Sequence, residues 1–271
     1  MEIRGRRALV TGAAGGIGSA VVRNLAGHGM KVVATDLDQD ALDALIHSLP
    51  GEGHVALTAD LSSRKEASAL LGRVEEASGP IDLLVNNAGY ERTAVFHEID
   101  LTDLDKILKV NLRAPMILTH AVIPGMLERG HGHVVQMAST AGMAGAACLE
   151  PYGATKAGLI RFNESLRATY RGKPVGFSAI CPGWTKGGGM FERMRARGNE
   201  PPATIGSTTA EEVAEAVTRA VTKNLPLVMS NSRPVRPMTV LTTLTPRLAG
   251  RVMELTGANK FFRTDARNRN D

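Results

Sequence analysis

Short apolar runs alternate with segments of helical pattern along most of the chain, and this alternation narrows the fold more than any other feature. Runs at 8–11, 31–35, 54–59, 83–86, 133–137, 175–180 and 227–229 read as strands. Segments at 16–29, 39–48, 63–77, 102–110, 112–129, 151–171 and 210–222 read as helices. A strand that is apolar throughout, rather than at every second residue, is covered on both faces. Helices placed between such strands supply the two covers. The pattern therefore predicts an α/β fold of Rossmann type: a doubly wound, seven-stranded parallel sheet with right-handed crossovers and helices on both faces. No repeat, low-complexity tract or long linker interrupts it. Residues 1–271 are expected to form a single domain, with a lid segment at about 186–207 and a helical extension at about 233–271.

The first strand runs into Thr11-Gly12-Ala13-Ala14-Gly15-Gly16-Ile17-Gly18, and a helix follows. Strand, glycine turn and helix in that order cradle a phosphate, because the helix N-terminus offers unpaired N–H groups and a partial positive charge. Gly12 permits the turn, Gly16 lets a ligand approach the backbone, and Gly18 allows close helix packing. The second strand ends at Asp36, a position from which a carboxylate accepts hydrogen bonds from adenosine ribose hydroxyls and repels a 2′-phosphate. Leu37 supplies no base to neutralise such a phosphate, which favours NAD over NADP. Asp36 and Asp38 also precede the next helix, so one of them is expected to cap it. Asp60 and Leu61 follow the third strand, where Asp60 is either a loop or cap acid or a contact to adenine; the sequence leaves both open. Asn86-Asn87-Ala88-Gly89 closes the fourth strand with small and amide residues suited to a tight turn against a flat ligand.

Tyr152 and Lys156 are four residues apart and share one face of the helix at 151–171. A phenol is a poor base at neutral pH, with an ordinary pKa near 10. An adjacent ammonium is expected to lower it. Ser139, just past the fifth strand, can hold a substrate oxygen beside the phenol. Together the three form a general acid/base, its activator and an orienting hydroxyl.

Composition removes other classes. The 43% apolar content supports a sizeable core. The two cysteines form no C-x-x-C pair, and no histidine cluster has ligand spacing, so neither a disulfide framework nor a metal site is implied. This usage, with no long apolar N-terminal segment, fits a reducing cytoplasm. The net charge of +5 is modest and aromatic residues are 4%, so nucleic-acid binding is not expected.

Taken together, these residues resemble the short-chain dehydrogenase/reductase family in its roughly 250-residue subdivision. The T-G-x-x-x-G-I-G turn is Thr11–Gly18, N-N-A-G is Asn86–Gly89, Y-x-x-x-K is Tyr152 and Lys156, and the segment Pro182-Gly183-Trp184-Thr185 reads P-G-x-T. The resemblance implies that Asn111 and Ser139 complete the catalytic set. It implies a nicotinamide cofactor lying along Gly12, Gly15, Gly16, Ile17, Gly18, Asp36, Leu37, Asp60, Leu61, Asn87, Ala88 and Gly89. Tyr152, Lys156, Pro182, Gly183, Trp184 and Thr185 would hold its nicotinamide end. By the same resemblance, Asn111 keeps open a water path for the proton, and the chain is a homodimer or homotetramer.

The loop at 140–150 is small and apolar, which favours a hydrophobic alcohol or ketone, with Met143 and Leu149 as contacts beside Ser139 and Tyr152. Three glycines at 187–189 mark a hinge, from which Met190, Phe191 and Met194 are placed to close over the substrate. From Ala216 to Met253 there are six basic residues and no acidic one, and Leu241, Leu244, Leu248, Val252 and Leu255 recur at helical spacing. Thr245-Pro246 predicts two short helices with a break between them. A basic amphipathic tail can lie on an anionic membrane, but core or subunit interface is the expectation. The terminal stretch 263–271 is polar and expected to fray. The leading reading is an NAD-dependent oxidoreductase. An NADPH-dependent carbonyl or 3-oxoacyl reductase is the rival within the fold, and a catalytically silent dinucleotide-binding protein the rival outside enzymology.

Overall fold

The computed structural model describes residues 1–187, 190–196, 198, 200, 202 and 205–268. The chain starts with β1 (Arg7–Thr11), α1 (Gly16–Gly27), β2 (Lys31–Asp36), α2 (Gln39–His47), β3 (Val55–Thr58), α3 (Arg64–Ser78) and β4 (Leu83–Asn86). It continues through α4 (Leu101–Leu108), α5 (Ala114–Glu128), β5 (Gly132–Met137), α6 (Glu150–Thr169) and β6 (Val175–Pro182). The last part holds β7 (Trp184–Lys186), α7 (Met190–Ala196), β8 (Ser207–Thr209), α8 (Ala210–Lys223) and β9 (Leu227–Ser230). Three helices close the chain: α9 (Arg236–Leu244), α10 (Pro246–Leu255) and α11 (Ala258–Asn268).

All seven expected strands are present, and they pair in the order β3-β2-β1-β4-β5-β6-β9, every pair parallel. The order reverses between β1 and β4, and at such a switch point a crevice opens beyond the carboxyl ends of the strands. Residues of β1 and β2 and of α1, α2 and α8 fill the core on one face, including Val10, Val21, Leu25, Leu42 and Val217. Leu70, Val74, Leu118 and Phe177 fill the other, where α3 and α5 pack. β7 and β8 form a separate two-stranded parallel ribbon that the sequence did not announce.

Capping sets several of the element boundaries. Asp38 accepts from the Ala41 N–H at 3.0 Å and starts α2, which leaves Asp36 free of that task. Ser63, not Asp60, caps α3. Thr209 and Glu212 form a reciprocal capping box at α8. The helix expected at 112–129 begins late, because Lys109–Arg113 form a π-helical turn between α4 and α5. The break at Thr245 is present, with Pro246 opening α10, but the Thr245 hydroxyl donates back to Leu241 O instead of capping α10.

The expectation for the terminus fails. Instead of fraying from 263, the chain forms α11, which buries Ala258, Phe261, Phe262, Asp265 and Ala266. These positions follow i, i+3, i+4, i+7, i+8, one face of a helix, and the packing gained on that face outweighs the polarity of the other. Residues 269–271 lie outside the described residues.

Candidate active site

Gly12 leaves β1 with φ at +65°, and a Cβ there would sit 2.7 Å from the Ala88 Cα. A Cβ on Gly18 would be driven into the Gly12 carbonyl, so the close approach it permits is of helix to turn. Gly15 occupies the N-cap of α1 with no side-chain cap, and no acidic residue stands in the first turn. The first-turn N–H groups therefore face an open cradle suited to a pyrophosphate. Asn87 ties the turn down, donating to Thr11 O at 3.0 Å and Gly12 O at 3.1 Å. Thr11 Oγ1 in return accepts from the N–H groups of Asn87 and Ala88.

At the end of β2, Asp36 accepts from the Ala14 N–H at 2.9 Å and from the Leu37 N–H at 2.7 Å. Its carboxylate thus lies against the glycine turn, while the Leu37 side chain is 63% exposed and brings no positive charge. Thr35 Oγ1 in the same wall is buried without a hydrogen-bond partner. The Asp60 carboxylate is held by the Ser62 hydroxyl and N–H, and the hydroxyl bond is the main cause of its lowered pKa. An open cradle, an acceptor pair at Asp36 and an orphaned hydroxyl fit the phosphate and adenosine parts of a dinucleotide.

Past the turn, the geometry changes from backbone donors to buried titratable groups. Ser139 heads a 3₁₀ turn, Thr140–Gly142, and its Oγ accepts from the Ala141 N–H at 3.1 Å. Gly142 lets that turn lie on α6, since a Cβ there would stand 2.6 Å from the Lys156 carbonyl carbon. Lys156 is only 3% exposed and donates from Nζ to Met137 O at 2.7 Å. Its Nζ lies 5.5 Å from the centre of the Tyr152 ring.

The expected lowering of the phenol by the ammonium is not what the site shows. Burial pushes Tyr152 up to about 12, and the hydrogen bond with Ser139 pulls the other way. Burial likewise brings Lys156 down to about 8. Desolvation opposes both charged forms here, and the lysine spends a proton on a backbone carbonyl.

Asn111 lies in the π turn and is fully buried. Its Oδ1 accepts from the Tyr90 N–H at 2.7 Å, and its Nδ2 donates to Tyr90 O at 2.8 Å and Thr155 Oγ1 at 3.3 Å. It fastens the loop after Gly89 to α6 and does not itself line the cavity.

One cavity of about 700 Å³ joins these groups, from Gly12–Gly18 and Asp36 past Asp60, Leu61, Asn87, Ala88 and Gly89 to Ser139, Tyr152 and Lys156. Leu149, Pro182, Gly183, Trp184 and Thr185 also line it. Met143 does not: it packs with Ala138, Leu159, Ile160 and Cys181, and Ala144 and Ala146 take the wall in its place. The side chains of Met190 and Phe191, and the hinge residues Gly188 and Gly189, lie outside the described residues. Met194 is buried against Cys148, Leu149, Phe261 and Phe262.

Sequence reasoning missed a whole wall. Tyr90, Glu91, Asn231, Met253, Ala258 and Phe262 line the cavity as well. Trp184 stacks on Phe262 with ring centres 5.8 Å apart and meets Phe261 edge-on at 5.1 Å, so α11 braces the segment after β6. The helical stripe of α11 was the available signal.

Comparison with known proteins agrees with this geometry. The chain is 32% identical over 274 positions to ketoacyl reductase HetN of Nostoc sp., covering 98% of this chain and 94% of that protein. It is 35% identical over 215 positions to the NADP-dependent 3-hydroxy acid dehydrogenase YdfG of Shigella flexneri, covering 77% and 86%. The structure of serine dehydrogenase from Escherichia coli superposes with a TM-score of 0.70 at 31% identity, covering 84% of this chain and 98% of that one. The family model of the short chain dehydrogenases matches residues 6–198. The chain therefore belongs to the short-chain dehydrogenase family, oxidoreductases of CH–OH donors that bind a nicotinamide dinucleotide.

Proposed function

We propose that this protein is an NAD-dependent oxidoreductase, a single domain over 1–271, that interconverts a hydrophobic secondary alcohol and its ketone. The observation that carries the reading is the continuous cavity from the Asp36 carboxylate to the Tyr152 phenol. In this reading Gly12, Gly15, Gly16, Ile17 and Gly18 seat the pyrophosphate on α1. Asp36 receives the adenosine ribose hydroxyls, with Leu37, Asp60 and Leu61 around the adenine. Asn87, Ala88 and Gly89 carry the middle of the cofactor, and residues 182–185 its nicotinamide end. Bound NAD supplies the hydride acceptor.

Tyr152 takes the proton from the substrate hydroxyl in oxidation and returns it to the oxygen in reduction. Ser139 holds that oxygen by a hydrogen bond. Lys156 stabilises the phenolate and grips the nicotinamide ribose. Asn111 acts through position, holding Tyr90 and Thr155 so that a proton path to solvent stays open. Leu149 lines the substrate end. The protein acts as a homodimer or homotetramer.

A second reading is an NADPH-dependent carbonyl or 3-oxoacyl reductase. It draws on the names of HetN and YdfG and on the phenol of Tyr152, which burial keeps protonated at neutral pH. Cofactor preference separates the two. Measured as kcat/KM, NAD is expected to exceed NADP by at least about tenfold, the discrimination roughly one unpaired charge contact provides. Asp36→Ala with Leu37→Arg is expected to reverse the order. A native preference for NADP would replace the first reading with the second.

A further inference from the structure

Helices α9 and α10 carry an apolar stripe that the rest of the described chain leaves uncovered. Val240 and Leu244 stand four apart on α9, 56% and 73% exposed. Leu248 and Leu255 stand seven apart on α10, 50% and 86% exposed. Leu241 and Val252 are half-buried, so the stripe is not the core the sequence allowed it to be.

Charge says what fits over it. Arg236 opens α9, and Arg247 and Arg251 lie one turn apart on α10, all three exposed and without an ion pair among the described residues. Glu254, the nearest carboxylate in sequence, is taken by Arg263 at 2.7 Å and 3.0 Å and by Asn259 at 3.1 Å. The face thus presents leucines among arginines of one sign. A twofold contact with a second copy through this face would set those arginines against themselves. Met253 and Thr256, on the other side of the same segment, line the catalytic cavity.

We propose that the α9–α10 hairpin docks on an anionic membrane surface. The exposed leucines enter the boundary between headgroups and acyl chains, and the arginines meet lipid phosphates. Docking sets the cavity wall beside the bilayer, so the substrate is an apolar alcohol or ketone dissolved in lipid. This substrate half rests on the function proposed above; the docking half does not.

Flotation of the full-length protein tests the docking, using phosphatidylcholine vesicles with and without phosphatidylglycerol. The protein is expected to float with anionic vesicles at low salt and to stay behind with neutral ones or at high salt. Leu244→Glu with Leu255→Glu, and separately Arg247→Glu with Arg251→Glu, are each expected to lower vesicle affinity at least about tenfold. Thermal melting and NAD binding should remain as in the native protein. No flotation on anionic vesicles at low salt overturns the proposal, as does flotation that both variants retain. Self-association in light scattering that both variants abolish would make a second copy the occupant and also overturn it. For the substrate half, turnover of a long-chain secondary alcohol should rise when anionic vesicles are added, while that of a water-soluble one stays constant. Equal response of the two alcohols overturns that half. Flotation without turnover of any alcohol would instead reject the proposed chemistry and leave docking standing.

Discussion

A phenol that protonates a developing alkoxide must be neutral, and one that strips an alcohol must be ionised. Burial holds Tyr152 up at about 12 and Lys156 down at about 8, so at neutral pH the phenol is in its acid form. Reduction then starts from the populated state, and oxidation draws on a phenolate fraction that grows tenfold per pH unit. The sign follows: log kcat/KM for alcohol oxidation is expected to climb with a slope near one across about pH 6 to 8, while carbonyl reduction stays flat there. Lys156→Met removes the nearby cation and is expected to lower oxidation at pH 7 by about a hundredfold or more. An oxidation profile independent of pH in the native protein would speak against Tyr152 as the base. His133 titrates for a different reason. Its Nε2 meets Ser178 Oγ at 2.8 Å, and Ser178 donates onward to Leu225 O, so the ring is held as a neutral donor. Burial lowers its pKa to about 3, against 6.5 for the free side chain. Between those values the unfolded chain binds a proton that the folded one refuses, so stability is full above about pH 6.5 and falls as pH drops toward 3. The whole effect is on the order of 5 kcal/mol. His133→Gln should flatten the acid limb of a urea-unfolding series between those pH values; an unchanged limb would assign the acid lability elsewhere.

At the scale of elements, two close approaches position the site. A methyl on Gly18 meets the Gly12 carbonyl, which is backbone and cannot swing aside. Gly18→Ala is therefore expected to weaken NAD binding at least about tenfold, the equivalent of roughly 1.4 kcal/mol, and to lower the melting temperature as the turn is displaced. Retained affinity would show that the turn can relax. The strand, glycine turn and helix were legible because each rests on local chemistry: an apolar run, a residue without Cβ and an uncapped helix start. The same holds for Tyr152 and Lys156, whose four-residue spacing is fixed by helix geometry. The π turn at Lys109–Arg113 was not legible, since its extra residue is accommodated by the buried Asn111 bonds to Tyr90 and Thr155. Such bonds join segments distant in sequence, and no local pattern encodes them. Met143 was misplaced for a related reason: which apolar side chains of the loop at 140–150 turn inward is decided by packing on α6.

At the scale of the whole molecule, the chain's end returns to its centre. Phe261 and Phe262 are 6% and 7% exposed, and they brace Trp184 at the rim of the cavity. Phe262→Ala removes a ring from this cluster and is expected to cost about 3–5 kcal/mol of stability. KM for the alcohol should rise severalfold and NAD affinity should fall by less, because Trp184 meets only the nicotinamide end while β1 and α1 build the pyrophosphate cradle. Equal losses in both would mean that α11 supports the fold without shaping the substrate end. The doubly wound parallel sheet followed from the sequence because its strands are short, apolar throughout and separated by helices; the closure by α11 did not, since it depends on a surface that exists only after the sheet has formed. The central claim is that Tyr152 moves the proton while NAD accepts the hydride. Its most direct test is NADH formation across a graded panel of secondary alcohols, in the native protein and in Tyr152→Phe, with NAD affinity measured beside it. Turnover that grows with substrate hydrophobicity and falls by about 10²–10⁴ in the variant, at unchanged NAD affinity, is the expected result. Tight NAD binding with no turnover of any alcohol, or turnover that survives in Tyr152→Phe, would contradict it.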